Sequence, residues 1–263
     1  MKVIGSKDNK LIKLAASLKH KKYRDVERLF LVEGGRAVTE ALRKPELLAA
    51  VFLDESGIEE YYNFELPSGE SYVINTQLMR HICCTENPQG IAAIVKNPVW
   101  LWEEVIARQG HLVLLDRISD PGNLGSILRT CWALGGEGLA LMRGSVDPFS
   151  PKVVRSTMGA IMNMPLFRDV SEQELDNLQG QGYCFWGATG DAAENYFEVK
   201  YPSKSLLIFG SEADGISDGL RKRCRGFIKI PMKSQVDSLN VAAACAIILA
   251  ELWRQRQEEI RLA

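Results

Sequence analysis

The pattern of hydrophobic and polar positions divides the chain into two parts. From about residue 110 onward, short apolar runs alternate with longer amphipathic segments. The apolar runs have the length of buried strands, and the segments between them place apolar residues at helical spacing. Strands that alternate with helices of this length are typical of βα units in a parallel sheet. The predicted strands are 111–116, 138–142, 164–170, 183–189, 205–210 and 226–231, and the predicted helices are 122–134, 151–162, 172–178, 214–223 and 238–257.

The first hundred residues have a more mixed pattern, which predicts a smaller α/β domain. The predicted helices there are 10–18, 35–42 and 77–83, and the predicted strands are 29–32, 49–53, 71–74 and 90–95. The stretch that follows begins with a proline and continues as a linker and a helix. We therefore predict a domain of residues 1–97, a linker of residues 98–109 and a second domain of residues 110–263.

Composition and cysteine usage narrow the functional class. Of the 263 residues, 46% are hydrophobic and 25% are charged, which is typical of a soluble globular protein. No run of about 18 apolar residues could span a membrane. No apolar segment follows the N-terminal lysines as it would in a signal peptide. With three histidines, and six cysteines without CxxC spacing, we predict a cytoplasmic protein that has no metal site, no disulfides and no membrane partner.

Charge is distributed unevenly along the chain. Residues 1–28 hold nine Lys and Arg against three Asp and Glu, a local charge of +6 in a chain whose net charge is −1. Because phosphate-binding surfaces concentrate Lys and Arg, this segment could face a nucleic acid. A solvated helix face is the alternative, and charge alone does not choose between the two.

The loops that follow the predicted strands are the first place to look for a site. Ligands of parallel sheets bind at the carboxyl ends of the strands. The loops after Asp116, Thr189, Gly210 and Pro231 are therefore the candidates.

The first of these loops leads into a helix, and together they read DRISDPGNLGSILRTCWALGG, residues 116–136. Asp120 and Pro121 are a favourable helix start, because a hydrogen-bond acceptor precedes a proline whose φ is already helical. Asn123 and Arg129 do not belong to the buried apolar stripe of this helix. Arg129 could bind a phosphate through its forked guanidinium, or it could pair with a surface acid.

A second candidate loop lies in LLIFGSEADGIS, residues 206–217. Its strand ends at Gly210, where the missing side chain would let a ligand approach the backbone. Glu212 could serve such a site, or it could be an ordinary acid in the first turn of a helix. The chain has no GxxxxGK[ST] or GxGxxG motif, so this loop is not a phosphate cradle of those types.

The third candidate loop is part of IPMKSQVDSLNVAAACAI, residues 230–247. Ser238 is a credible N-cap for the apolar helix that follows. Asn240 is a poor helix former at the start of that helix, so we expect its amide to have a definite hydrogen-bond partner.

The order and content of these loops resemble the SpoU/TrmH branch of the SPOUT methyltransferases, which methylate ribose 2′-hydroxyls of RNA. The three signature blocks of that family are similar to residues 114–136, 206–217 and 230–251, and the segment VVRSTMGAIMNMPL resembles the one between the first two blocks. FLVEGGRAVTEAL and NPQGIAAIV, near the N-terminus, resemble the accessory substrate-binding domain of the family. The resemblance therefore covers nearly the whole chain.

The resemblance implies a fold and a cofactor. The fold is α/β, with a SPOUT-type parallel sheet flanked by helices, a C-terminal trefoil knot and a small N-terminal α/β domain similar to a ribosomal protein (L30e-like). The knot would bind S-adenosylmethionine in a bent form, and the chain would act as a homodimer whose subunits meet at this site. The implied cofactor-binding residues are Thr189, Gly190, Gly210, Ile230, Met232, Ser238 and Leu239.

The resemblance also implies roles in methyl transfer. The catalytic positions of the family correspond to Asn123, Arg129, Glu212, Ser238 and Asn240. Because the pKa of arginine lies above about 12, its side chain stays protonated and cannot accept a proton, so Arg129 is better suited to hold a phosphate and polarise the 2′-hydroxyl. The two asparagines would place the RNA and the loop backbone, while Ser238 and Glu212 would organise the knot and the pocket.

The implied partner is RNA, with ribosomal RNA preferred over transfer RNA and no binding of DNA. The predicted RNA-binding residues are Lys19, Lys21, Lys22, Arg24, Glu33 and Arg36. Ser234 and Ala213 depart from the family pattern, and a Ser234 forced to positive φ would cost on the order of 1 kcal/mol. These departures support the alternative hypothesis, a non-catalytic RNA-binding or ribosome-assembly protein that keeps the fold.

Overall fold

The structure, a computed structural model, describes residues 1–56, 61, 64 and 66–262. These residues form two compact units. The first unit comprises Met1–Val99 and Asp147–Met162, and the second comprises Trp100–Val146 and Asn163–Ala263. The segment Asp147–Met162 thus belongs to the first unit, although in sequence it interrupts the second. The sequence-based division at residues 97 and 110 stays a prediction. It did not place Asp147–Met162 in the same unit as the N-terminal residues.

The strands and helices are numbered in chain order. The strands are β1 (Lys2–Ile4), β2 (Leu29–Glu33), β3 (Leu48–Asp54), β4 (Ser71–Ile74), β5 (Ile91–Lys96), β6 (Leu112–Asp116), β7 (Gly138–Leu141), β8 (Leu166–Phe167), β9 (Cys184–Ala188), β10 (Glu194–Asn195), β11 (Ser205–Gly210) and β12 (Gly226–Lys229). The α-helices are α1 (Lys10–Ser17), α2 (Lys21–Glu27), α3 (Gly35–Leu42), α4 (Thr76–Ile82), α5 (Trp102–Ala107), α6 (Pro121–Ala133), α7 (Pro151–Thr157), α8 (Glu172–Gly180), α9 (Asp218–Arg223) and α10 (Val241–Leu262).

The first unit is built on a mixed sheet with the strand order β1-β4-β3-β5-β2. Strand β5 is antiparallel to both of its neighbours, whereas β1, β4 and β3 are parallel. The five residues Ile91–Val95 of β5 are all buried, which explains their continuous apolar run. Helix α7 packs against β2 and so brings the segment Asp147–Met162 into this unit.

The second unit contains a seven-stranded sheet with the order β10-β12-β9-β11-β6-β7-β8, and every pairing in it is parallel. The prediction of a parallel sheet flanked by helices is confirmed. In the register of β6 and β11, Asp116 lies beside Gly210. The two loops that carry the first two signature blocks therefore leave the sheet side by side.

Helices α6 and α10 pack against each other and run in the same direction. Asn123 at the start of α6 contacts Asn240 at the start of α10, while Gly135 just beyond α6 contacts Trp253 much further along α10. Gly135 has φ +67°, and a Cβ there would lie 2.1 Å from the Trp253 ring, so only glycine fits. The N-terminal ends of both helices thus meet at the carboxyl edge of the sheet.

Several predicted elements differ from the structure. The helix predicted at 151–162 ends at Thr157, because Met158 and Gly159 adopt positive φ values of 50° and 95°. The strand predicted at 164–170 is reduced to Leu166–Phe167. The helix predicted at 214–223 begins only at Asp218, because a tight turn precedes it. The short elements β1, α2 and β10 were missed.

Among the residues that the structure describes, no helix combines the length and the apolar character needed to cross a membrane.

Candidate active site

A cleft of about 330 Å³ lies at the carboxyl ends of β9, β11 and β12 and reaches the start of α10. All seven residues predicted to bind the cofactor line it, namely Thr189, Gly190, Gly210, Ile230, Met232, Ser238 and Leu239. Glu212 of the predicted catalytic set lines it as well. The tertiary structure therefore gathers four separate chain segments around one cavity.

Three side chains from the three signature blocks form a hydrogen-bonded chain in the second unit. The Nδ2 amide of Asn240 donates to Oδ1 of Asn123 at 2.8 Å. The Nδ2 amide of Asn123 donates in turn to Oε1 of Glu212. Because an amide donates and accepts at opposite atoms, Asn123 can link the other two residues at once. We refer to Asn240, Asn123 and Glu212 as the amide–carboxylate chain.

The local structure of α6 explains why Asn123 is so well placed. Asp120 is the N-cap, and its carboxylate accepts a hydrogen bond from the backbone N–H of Asn123 at 2.8 Å. Pro121 occupies the first helical position, as predicted. The side chain of Asn123 is left free of capping and can point to its two partners.

Asn240, and not Ser238, is the N-cap of α10. Its Oδ1 accepts hydrogen bonds from the backbone N–H groups of Ala242 at 2.9 Å and Ala243 at 3.3 Å. The capping prediction for Ser238 was wrong, because the helix begins at Val241 and Ser238 is exposed in the preceding loop. Asn240 has the definite partners that its amide required, although it is exposed and not buried.

The loop that carries Glu212 folds back on the end of β11. The backbone N–H of Gly215 donates to the carbonyl of Ser211 at 2.9 Å, and the N–H of Asp214 donates to Oγ of Ser211 at 3.1 Å. A Cβ on Gly210 would lie 2.0 Å from the backbone carbon of Gly215. Glycine is therefore needed at position 210, because the backbone of Gly215 passes too close to leave room for a side chain. Glu212 lies in the turn, outside any helix, so the reading of it as a first-turn acid was wrong.

Asp116 and Arg117, which were not among the predicted site residues, also hold this loop. Asp116, the last residue of β6, is 2% exposed, and its Oδ2 accepts the backbone N–H of Ser217 at 2.7 Å. Its Oδ1 accepts from Nε of Arg117 at 3.1 Å, and Nη1 of Arg117 lies 3.5 Å from Oδ2 of Asp214. An acid at the end of a fully buried strand was the sequence signal that could have drawn attention to Asp116.

Asn123 and Asn240 do not line the cleft themselves and are connected to it through Glu212. Arg129 is the predicted catalytic residue that the structure brings neither to the cleft nor into the amide–carboxylate chain. Six residues separate it from Asn123, which corresponds to about 9 Å along the helix and about 120° around it. Its side chain is exposed and makes no hydrogen bond or ion pair with the described part of the chain. The sequence left two interpretations of Arg129, a phosphate contact or an ion pair with a surface acid, and no such ion pair forms within the described part of the chain.

The departure from the family pattern at Ser234 carries no backbone strain. The non-glycine residues with positive φ are Arg28, Gln109, Arg117, Met158 and Asp169 among those described. Because Ser234 has an ordinary φ, the cost anticipated for a serine at this position does not arise.

The residues predicted to bind RNA all lie in the first unit, and they differ in exposure and in hydrogen bonding. Lys21, Lys22 and Arg36 are exposed, and Lys19 is half-buried with its Nζ donating to the carbonyl of His81 at 2.7 Å. Glu33 accepts hydrogen bonds from the backbone N–H of Cys84 at 2.7 Å and from Thr85, which fixes a neighbouring loop.

Arg24 does not fit a role at an RNA surface. It is 4% exposed, and its guanidinium donates to the carbonyls of Leu18 and Lys19 and to the carboxylate of Asp147 at 2.7 Å. A buried guanidinium with these acceptors is a structural anchor. The prediction of Arg24 as a phosphate contact is corrected accordingly.

Comparison with known proteins identifies the family. Residues 110–250, just over half of the chain, match the model of the SpoU rRNA Methylase family. The chain belongs to this family. Residues 9–93 of this SpoU methylase also match the MRM3-like substrate binding domain.

Similar proteins cover almost the whole SpoU methylase chain. The 23S rRNA (guanosine(2553)-2′-O)-methyltransferase RlmP of Bacillus subtilis is 32% identical over 96% of this chain and 99% of its own. Among solved structures, the SpoU methyltransferase AviRb of Streptomyces viridochromogenes has a TM-score of 0.83 and 27% identity, and covers 95% of this chain and 99% of its own. An AdoMet-bound rRNA methyltransferase of Sinorhizobium meliloti has a TM-score of 0.83 and 29% identity, with 96% and 97% covered. This chain is an S-adenosylmethionine-dependent RNA 2′-O-methyltransferase.

The lining of the cleft in this SpoU methylase fits S-adenosylmethionine. Thr189 has a buried Oγ1 without a hydrogen-bond partner among the described residues, as expected where a polar ligand group is to be received. A Cβ on Gly190 would meet nothing within 4 Å, which leaves open space beside it. Ile230, Leu239 and Ile248 supply apolar surface for a planar base. The described residues contain no cluster of His, Cys, Asp or Glu that could hold a metal ion.

Proposed function

We propose that this protein methylates a ribose 2′-hydroxyl of ribosomal RNA and that it does so as a homodimer. The observation that carries the proposal is the amide–carboxylate chain, which joins the three signature blocks beside the cofactor cleft. Asn123 lies 89 positions from Glu212 and 117 positions from Asn240 in the sequence, so these hydrogen bonds require a specific tertiary structure. Such polar contacts are typical of a site that positions reactants.

S-adenosylmethionine, when bound, supplies an electrophilic methyl group on a sulfonium. The protein's contribution is to orient the 2′-hydroxyl for in-line attack on that methyl group, since positioning provides much of the rate in such displacements. Thr189, Gly190, Gly210, Ile230, Met232, Ser238 and Leu239 would hold the cofactor. Asn123 and Asn240 would fix the first and third loops against each other, and Glu212 would fix the second.

Arg129 would act on the RNA and not on the cofactor. Its position around α6 separates it from the lining of the cleft, and its guanidinium is exposed. A free guanidinium is well suited to a forked hydrogen bond with a backbone phosphate. Held beside the target ribose, it would polarise the 2′-hydroxyl without taking its proton.

Ribosomal RNA is favoured by the extent of the similarity to RlmP. That relative is named as a 23S rRNA enzyme, and the alignment includes the N-terminal substrate-binding region as well as the methylase domain. The exposed Lys21 and Lys22 of the first unit would contact phosphates.

The homodimer is supported by exposed surface on the two helices of the site. Trp132 of α6 is 42% exposed, and Ala243 of α10 is exposed as well. Small residues such as those at 242–244 and 246 let another helix approach closely. Light scattering coupled to size-exclusion chromatography would give twice the chain mass of 29.3 kDa, and a monomeric active enzyme would contradict this part of the proposal.

The substrate is tested by labelling. Purified protein is incubated with methyl-labelled S-adenosylmethionine and either ribosomal or transfer RNA from cells that lack the protein, and the 2′-O-methyl site is then mapped. We expect label in one nucleotide of ribosomal RNA. Label in transfer RNA alone would reject the ribosomal substrate. Cofactor-independent RNA binding with no label in either RNA would favour the non-catalytic alternative.

A further inference from the structure

The loop that carries Glu212 is held by two charged residues that belong to a different block of the sequence. Asp116 is buried at the end of β6, where it accepts the N–H of Ser217. Arg117 follows it directly and contacts both Asp116 and Asp214. The segment Ser211–Ser217 is thereby fixed at its end by Asp116 and near its middle by Arg117.

The backbone of Arg117 is adapted to this contact. Its φ of +58° is in the left-handed region, which is uncommon for a residue with a long side chain. Nε of its side chain lies 3.1 Å from Oδ1 of Asp116. Nη1 of the same guanidinium lies 3.5 Å from Oδ2 of Asp214. A strained backbone at an arginine that contacts two carboxylates indicates a function for its side chain.

The position of Asp214 connects Arg117 to the turn that carries Glu212. Asp214 is two residues from Glu212, within the turn closed by Ser211 and Gly215. Glu212 is exposed and protrudes from this turn to accept the amide of Asn123. A shift of the turn would therefore move the Glu212 carboxylate away from Asn123.

We propose that Arg117, through its pair with Asp214, is a positioning residue for methyl transfer that fixes the turn carrying Glu212 against Asn123 at the cofactor cleft. The proposal rests on the proposed role of the amide–carboxylate chain in the reaction. Arg117 itself touches neither cofactor nor RNA in this scheme and acts through Glu212. Asp116 fixes the same turn as a buried acceptor of the Arg117 guanidinium and of the Ser217 N–H.

The test compares single and combined variants in methyl transfer. Arg117→Met and Asp214→Asn each remove the pair, whose side chains are 40% and 66% exposed. Exposed pairs are weak, so each variant should lower kcat by about two- to fivefold, with the KM for cofactor little changed. The double variant should lose no more than the stronger single variant, because both remove the same contact.

A background without the Glu212 carboxylate separates positioning from a merely structural role. In Glu212→Gln, addition of Arg117→Met should cause no further loss of kcat. A merely structural role would give the same fold loss of kcat in both backgrounds. That result, or full activity of Arg117→Met, would overturn the proposal. A lower melting temperature of Arg117→Met would only report the loss of its contact with the buried Asp116. Arg254→Met is the matched control, since it removes an exposed arginine paired with Glu251 and Glu258 on α10.

A second measurement does not depend on the reaction. With the amide side chains labelled with ¹⁵N, the Nδ2 resonances of Asn123 should move in Glu212→Gln, and Arg117→Met should move them in the same direction. Asn123 resonances identical to those of the wild type in Arg117→Met would reject the positioning role even if methylation of ribosomal RNA were never detected. Conversely, a matching shift without methyl transfer would leave the positioning intact and reject the proposed function.

Discussion

Asn240 caps its own helix with one end of its amide and binds Asn123 with the other end. Its Oδ1 accepts the N–H groups of Ala242 and Ala243, and its Nδ2 donates to Oδ1 of Asn123 at 2.8 Å. The cap fixes the side chain, so that the amide donor is presented to the neighbouring helix. Helix stability and site geometry therefore depend on the same residue.

Substitution of Asn240 can separate these two tasks. Asn240→Ala removes both, and we expect a loss of about 1 kcal/mol in the free energy of unfolding together with a loss of methyl transfer. Asn240→Asp keeps a capping oxygen but has no amide to donate to Asn123, so it should retain stability and lose activity. Urea unfolding and a labelled-cofactor assay measure the two effects.

The control for this pair is another asparagine cap. Asn75 caps α4 in the first unit by accepting the N–H of Leu78 at 2.9 Å. Asn75→Ala should cost a similar amount of stability and leave methyl transfer unchanged. Full activity of Asn240→Asp would show that the contact with Asn123 is dispensable.

Gly210 and Gly190 should respond differently to a methyl group. In Gly210→Ala the Cβ would collide with the backbone of Gly215, and we expect about 3 kcal/mol of destabilisation and no cofactor binding. In Gly190→Ala the Cβ meets no protein atom within 4 Å, so the unfolding free energy should be unchanged. Calorimetric titration with S-adenosylmethionine should nevertheless show weaker binding, because the methyl group occupies the cleft. Unchanged affinity in Gly190→Ala would remove Gly190 from the cofactor site.

Removal of Arg24 should destabilise the first unit. The side chains of Arg24 and Asp147 are 5% and 9% exposed, and Arg24→Met would leave the carboxylate buried without its cation. Loss of one partner of a buried pair costs about 3–5 kcal/mol. Arg43→Met, which breaks an exposed pair with Glu40, is the control and should cost less than about 1 kcal/mol. Denaturant unfolding followed in both variants decides whether Arg24 is an anchor.

Lys21 and Lys22 should contribute to RNA affinity and not to stability. Replacement of both by alanine should weaken RNA binding and reduce the slope of log affinity against log salt by roughly 1.4 to 1.8, at about 0.7–0.9 per phosphate contact. Lys13→Ala is the comparison, because Lys13 is already paired with Asp8 at 2.7 Å. Fluorescence anisotropy over a series of salt concentrations measures the slope. An unchanged slope in the double variant would place the RNA surface elsewhere.

His111 should make the stability of the second unit sensitive to acid. Burial, and secondarily the positive charge of Arg256, lower the pKa of His111 from 6.5 to about 4. Between pH 6.5 and 4 the imidazole of His111 is mostly protonated in the unfolded chain and mostly neutral in the folded chain. The contribution of neutral His111 to the free energy of unfolding is therefore fully present above pH 6.5 and is lost as the pH falls towards 4.

The variant His111→Phe isolates this effect. Its unfolding free energy should fall less steeply than that of the wild type between pH 6.5 and 4, with a difference of roughly 2–3 kcal/mol over the window. Carboxylates titrate equally in both proteins and cancel in the comparison. Equal slopes for His111→Phe and the wild type would contradict the prediction.

Local sequence patterns predicted much of the fold because they report burial directly. The strand Ser205–Gly210 and the helix Gly35–Leu42 were predicted to the residue, since an apolar run and an amphipathic repeat mark the faces that pack. The turn before α9 was read as helix, because a contact between Ser211 and Gly215 has no periodic signature. Arg24 was misread for a related reason, since its buried partner Asp147 lies 123 positions away.

Periodicity along the chain was enough to predict the parallel sheet and the loops at the carboxyl ends of its strands. The residues that line the cleft were predicted from the resemblance to the SpoU/TrmH family. Three features became visible only in the folded chain: Asn240 is the cap, Asp116 and Arg117 hold the Glu212 turn, and Asp147–Met162 joins the first unit. The contacts of the Glu212 turn depend on the register of the sheet, which sets which loops are neighbours. The pairing of Gly210 with Asp116 brings together loops that are far apart in the chain, and no local pattern encodes that pairing.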